Sequence, residues 1–322
     1  MNKLSMAAGL ALLAVFAMHA SAQSYPTRPI RMVVSFAPGG TGDFLSRSIA
    51  PRLGELIGQQ FIIDFRGGAG TTLAAGLVAA APADGYTVLI QSLSTQAINE
   101  SLYSKLPYDT RKDFAPIALG TTNFLVLVVH PSVPFKTTRD LITYAKAHPG
   151  KLSIASNGEG GFPHMTIEML RLQAGFQYLH VPYKGSADIA AQLIGGHVDA
   201  AIDGVTGLAP HIKSGKLRLL GVTSPTRVPQ FPDTPAIAES LPGYDSRGWF
   251  GWLAPAGTPT PIITRLNQEL NRAMQIPDIK EKLEAAGLII VNESPEFFKT
   301  TIESDYEKYG KVIREIGLAA KL

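Results

Sequence analysis

The chain contains no cysteine. That absence excludes a disulfide framework, thiolate catalysis, cysteine metal ligands and a lipid-modified terminal cysteine. Charge is sparse as well: 17% of the 322 residues are charged, and the formal net charge is +3. The basic residues are scattered. Their nearest approach to a cluster, Lys213, Lys216 and Arg218, falls short of a nucleic-acid footprint. Beyond the first twenty or so residues no run is long and apolar enough to cross a bilayer. Enzyme signatures are missing too. There is no G-x-S-x-G elbow, no H-E-x-x-H, no phosphate loop closed by Gly-Lys-Ser/Thr and no histidine pair at metal-ligand spacing.

What is present begins with MNKLSMAAGLALLAVFAMHASAQS: a lysine, an apolar stretch from Met6 to Met18, and Ala20-Ser21-Ala22 ahead of Gln23. This layout predicts a secretory signal peptide over residues 1–22 and an exported chain starting near Gln23, most simply periplasmic. The alternative is an uncleaved anchor, for which the apolar core is short. About 300 residues remain, enough for two domains or one large one, with the 45% hydrophobic content of an ordinary globular chain.

Short apolar runs alternate with helical-period segments, the pattern of βα units around largely parallel sheets. Strands are expected at Ile30 to Phe36, Phe61 to Phe65, Thr87 to Gln91 and Phe114 to Val129. Further strands are expected at Leu152 to Ser156, Tyr178 to Pro182, Asp199 to Asp203, Leu217 to Thr223 and Trp249 to Ala254. The run ending in FLVLVV is the most continuously apolar of these and reads as a central strand buried on both faces. Helices are expected over Asp43 to Ile57, Thr71 to Ala80, Thr137 to Ala147, His164 to Ala174, Ala187 to Gly195, Pro261 to Met274 and Pro295 to Ile316. The Pro-rich stretch SPTRVPQFPDTP, Ser224 to Pro235, breaks the alternation as a connector. Trp249 and Trp252 sit three apart in a strand and so point to opposite faces.

Two strand-to-helix turns are rich in glycine: SFAPGGTGD at Ser35 to Asp43 and SNGEGGFPH at Ser156 to His164. Glycine exposes bare backbone N–H groups, and a helix beginning just beyond adds the positive end of its dipole, so each turn suits an anion. One such turn is a corner; two, one in each half of the chain, resemble opposed jaws. A third fragment, RGGAGTT at Arg66 to Thr72, lacks the dinucleotide fingerprint and reads as a corner or a cleft rim.

These segments, together with LPYDTRKDFAPI at Leu106 to Ile117, HVPYKG at His180 to Gly185 and GWFGWLAPAGTP at Gly248 to Pro259, resemble the Bug-type substrate-binding proteins of tripartite tricarboxylate transporters. The resemblance covers essentially the whole chain after the signal segment, in the same order. It implies an α/β, two-lobed periplasmic binding protein of type II-like form, each lobe a mostly parallel sheet flanked by helices, with a ligand cleft between them. Lobe 1 is expected over 23–123 plus 248–322 and lobe 2 over 124–247, with 224–247 as connector. The implied partners are a small organic carboxylate, either an aliphatic or aromatic acid or an amino acid, and a membrane permease of the tripartite tricarboxylate type. Neither nucleic acid nor cofactor is implied, and the chain is expected to be a monomer.

By the same resemblance the ligand carboxylate is held mainly by main-chain amides and water. The first turn contributes Phe36, Ala37, Pro38, Gly39, Gly40, Thr41 and Asp43. The second contributes Ser156, Asn157, Gly158, Gly160, Gly161 and Phe162, with His164 at the head of its helix. Ser92, Thr95, Asp203 and Gly204 line the cleft from other strand ends. Glu159, Phe162 and Pro163 depart from the small or hydroxylated residues usual in that turn. Phe162 can admit an aromatic or apolar ligand body, and Glu159 faces solvent or pairs with a cationic group. Asp43 is expected to fix the first turn or a bridging water, and His164 to cap or orient the second. A catalytic His164 would need Asp203 as its partner. The remaining alternative is a periplasmic sensor that presents its closed form to a signalling partner.

Overall fold

The computed structural model describes residues 25–36, 38–68 and 71–319. The segment expected to be a signal peptide, residues 1–22, and Ala37, Ala69 and Gly70 lie outside them. The chain opens with β1 (Ile30–Val34), α1 (Thr41–Ile57), β2 (Phe61–Phe65), α2 (Thr72–Ala79) and β3 (Thr87–Ser92). β1 lies between β2 and β3 and pairs in parallel with both. α1 forms because Leu45, Ile49 and Leu53 recur every four residues and bury one stripe. It continues through Pro51 at the loss of one ladder bond, and ends at Gly58, whose N–H reaches the Gly54 carbonyl at 3.0 Å.

A π-helical turn, Ser94–Ile98, and the short α3 (Asn99–Leu102) lead to β4 (Phe114–Val129). Next come α4 (Thr138–Ala147), β5 (Ser153–Ser156), α5 (Phe162–Ala174), β6 (Leu179–Pro182), α6 (Ser186–Ile194), β7 (Ala200–Gly204), α7 (Val205–Lys213) and β8 (Arg218–Val222). The chain closes with α8 (Ile237–Ser240), β9 (Arg247–Pro255), α9 (Thr260–Met274), α10 (Pro277–Ala285), β10 (Leu288–Ile290) and α11 (Pro295–Glu315).

The sixteen-residue β4 joins the two lobes. Its first part, Phe114 to Phe124, is antiparallel to β9, and Thr121 to Asn123 also pair with β10. From Leu125 to Val129 it is antiparallel to β7 and β8. Apart from a single parallel bridge between Val222 and Ala236, parallel pairing among the described residues is confined to β2–β1–β3 and β6–β5–β7. Each lobe's sheet is therefore mixed where a mostly parallel one was expected, because β4 and β9 run against their neighbours.

Trp249 and Trp252 are both buried, and they belong to apolar clusters on opposite faces of β9. The sequence pattern left undetected the π-helical turn, α3 and α8, each of four or five residues, and three further elements. α7 contains Gly207 and Pro210 and buries only Leu208. α10 buries only Ile279 and Leu283. β10 is three residues long. Among the described residues no helix is long and apolar enough to cross a membrane.

Candidate functional site

The first glycine turn ends β1 and starts α1. Gly39 has φ 91°, a left-handed conformation that a side chain resists. Its N–H donates to Asp43 Oδ2 at 2.8 Å, while Arg47 Nε donates to Asp43 Oδ1. The Gly39 N–H first and the Arg47 guanidinium next hold the Asp43 carboxyl below its ordinary range. Asp43 thus fixes the turn from beneath. Phe36 packs edge-on against Phe250 with ring centroids 5.6 Å apart, which ties the turn to β9. Pro38, Gly39 and Gly40 are exposed at its tip.

The second turn ends β5 and starts α5. The Ser156 hydroxyl donates to the Gly158 carbonyl at 3.1 Å and lies 2.7 Å from His180 Nε2. The Gly160 N–H donates to His164 Nδ1 at 3.0 Å. His164 therefore braces the turn from inside α5, buried and off the cavity wall. Asn157 and Glu159 are exposed. Phe162 is 8% exposed and packs edge-on to Tyr309 at 6.4 Å, so the core already holds much of its ring.

Between the turns lies a cavity of about 290 Å³. Of the residues expected to contact ligand, Thr41, Ser92, Asn157, Gly161, Phe162, Asp203 and Gly204 line it. Thr95 is turned away, its hydroxyl bonded to that of Thr71. The lining also takes in Ser94, Asn123, Ser186, Thr206, Gly207, Gly248, Trp249 and Phe250, none of which the sequence reading placed at the ligand. It includes no arginine, lysine or histidine. Four helices begin at its wall: α1 at Thr41, α5 after Gly161, α6 at Ser186 and α7 after Gly204. Their free N–H groups and positive dipole ends make the cavity attractive to an anion without a cationic side chain.

Asp203, 1% exposed at the end of β7, is the acidic group on this wall. Burial pushes its carboxyl up, while the Ser186 hydroxyl and the Gly204 N–H pull it down. Its Oδ2 is buried without a hydrogen-bond partner. A larger hollow of about 670 Å³ lies along the outer face of α1, between Arg47 and Ile63, but no helix begins there and Arg47 and Glu55 sit on its wall. The smaller cavity is the candidate site because four helix starts converge on it.

A family model described as the tripartite tricarboxylate transporter family receptor matches residues 45–318. The UPF0065 protein in the tcbD-tcbE intergenic region of Pseudomonas sp. (strain P51) is 40% identical over 299 residues, covering 92% of this chain and 89% of that protein. Protein BugT of Bordetella pertussis (strain Tohama I) is 35% identical over 303 residues, or 94% of this chain and 93% of its own. Among solved structures, R. palustris Rpa4515 with adipate matches with a TM-score of 0.80 at 36% identity, covering 92% of this chain and 99% of that one.

Proposed function

Since the chain belongs to the tripartite tricarboxylate transporter receptor family, we propose that it is an extracytoplasmic receptor that captures a small carboxylate between its lobes and delivers it to a membrane permease of the tripartite tricarboxylate type. The family and the fold are those of substrate-binding proteins. The observation that carries this reading is the convergence of four helix N-termini on one cavity with no cationic side chain. A carboxylate there accepts several charge-assisted N–H bonds, directly or through water. A relative bound to adipate supports the ligand class. Export by the residue 1–22 signal, a periplasmic location and action as a monomer without catalysis complete the proposal.

The ligand contacts we assign are the Phe36 to Asp43 turn, the Ser156 to Phe162 turn with His164 behind it, and Ser92, Asp203 and Gly204. Asp203 Oδ2 offers a ligand donor group, or a water, a partner beside the carboxylate. We place lobe 1 over 23–123 plus 248–322 and lobe 2 over 124–247, a division supported by the change of strand partners between Phe124 and Leu125. The carboxylate meets the first turn, and hinge rotation then brings the second turn onto it. Contacts available only in the closed state drive closure.

A thermal-shift screen of the chain from Gln23 against carboxylic acids and their amides tests the reading. A true ligand at a hundredfold excess over its Kd adds about 2.7 kcal/mol of stability. A shift with an acid and none with its amide is the expected result. If no acid shifts protein that has been denatured and refolded to strip carried-over ligand, the carboxylate reading fails. Gly40→Val, which places a branched side chain at the cap of α1, is expected to weaken binding of a hit at least tenfold by calorimetry, and unchanged affinity would move the site elsewhere.

A further inference from the structure

Beneath the second turn two imidazoles lie face to face. His164 from α5 and His180 from β6 stack with centroids 3.8 Å apart and planes within 2°. Each holds one part of the turn. His164 Nδ1 accepts the Gly160 N–H, so that nitrogen carries no proton. The Ser156 hydroxyl gives its proton to the Gly158 carbonyl, so it accepts from His180 Nε2–H. The turn's backbone is thus tied at Gly158 and Gly160 through one serine and two imidazoles.

We propose that His164 and His180 are positioning residues for the second ligand turn, holding its main-chain N–H groups in place only while the His180 ring is neutral. The inference rests on that turn being a ligand contact. A proton added to His180 sets a cation against the buried face of His164. Other groups face the pair from α5 and β6. Glu168 lies with Oε1 3.7 Å from His164 Nε2 and accepts from Arg171 Nε and the Tyr178 hydroxyl, each at 2.6 Å.

Burial first, and the neighbouring His164 second, lower His180 to about 4, against the pull of Glu168. A released ring returns to about 6.5. The sign follows: the folded value is depressed for a base, so the held turn is favoured fully above 6.5, and that advantage is lost as pH falls toward 4. Glu168, held at about 2 against burial by His164, Tyr178 and Arg171, contributes only below its ordinary 4.5, outside the range tested here.

Hydrogen exchange of the chain from Gln23, without ligand and normalised to unstructured-chain rates, reads the holding directly. Between pH 7 and pH 5 the segment 156–165 is expected to lose up to about twentyfold in protection, from the two values above. The segment 38–45 is expected to stay level. His180→Gln keeps an N–H for Ser156 and does not titrate, so its 156–165 profile should be flat. Three results overturn the proposal: a flat wild-type profile, the same loss in His180→Gln, or equal losses at both turns. None of them touches the carboxylate reading, which stands or falls on the acid screen.

Discussion

Replacing Trp252 by alanine is expected to lower the unfolding free energy by about 3–5 kcal/mol, read from denaturant midpoints. Trp252 is fully buried in β9. Its ring covers Gly120 on the adjoining β4, where a Cβ would fall 2.1 Å from Trp252 Cζ3. Pairing between β4 and β9 shifts register between Leu119 and Thr121, so Gly120 is the extra residue of a bulge over which the indole lies. Gly120→Ala should therefore cost about 1–3 kcal/mol by overpacking. Once the ring is removed that collision disappears, so the double variant Gly120→Ala, Trp252→Ala should lose less than the sum of the two. Strict additivity would contradict the contact. Trp252→Phe should be much milder, because the indole Nε1 is buried without an acceptor and its loss leaves nothing unpaired.

Gly248→Val is expected to weaken carboxylate binding at least tenfold and to destabilise the fold by about 1–3 kcal/mol. Gly248 lies on the cavity wall in β9. A Cβ there would stand 2.7 Å from both Asn123 Oδ1 and Phe162 Cε1. Phe162 begins α5 and cannot retreat freely, since Tyr309 packs edge-on against it. The added methyls would push the start of α5, and with it the second turn, away from the first. Calorimetry on a carboxylate from the screen measures the affinity. Adding Phe162→Leu should recover part of the loss, and an undiminished affinity in Gly248→Val alone would show that the floor of the cavity does not set the distance between the turns.

Both glycine-rich turns were legible in the sequence because each combines a strand end, a run of glycines and a helix start within nine residues. The strands were legible for a similar reason: strands buried on both faces write nearly continuous apolar runs, as in Ile30 to Val34 and Leu125 to Val129. The far wall of the cavity was not. Ser186 and Thr206 are single hydroxyls at helix starts, and α7 hides its period behind Gly207 and Pro210. Asn123 is one polar residue inside a sixteen-residue strand, significant only because β4 changes partners beside it. His164 and His180 carry no spacing signal, since it is the pairing of β6 with β5 that brings the second ring beneath the turn.

The placement of β9 between β3 and β4 also governs the order in which the molecule can be assembled. Every strand partner of β5 to β8 lies between Leu125 and Ala236, so lobe 2 can pair its strands from a contiguous piece of chain. The first lobe cannot: β1 to β3 emerge early, yet the strand that joins them to β4 is residues 247–255, and α1 packs against α9 and α10 from the last quarter. Such distant pairings form slowly, and their exposed edges invite aggregation until they close. Emergence from the N-terminus onward therefore gives a second lobe with its strands paired beside an open sheet edge, and the cavity wall is complete only when β9 is laid down.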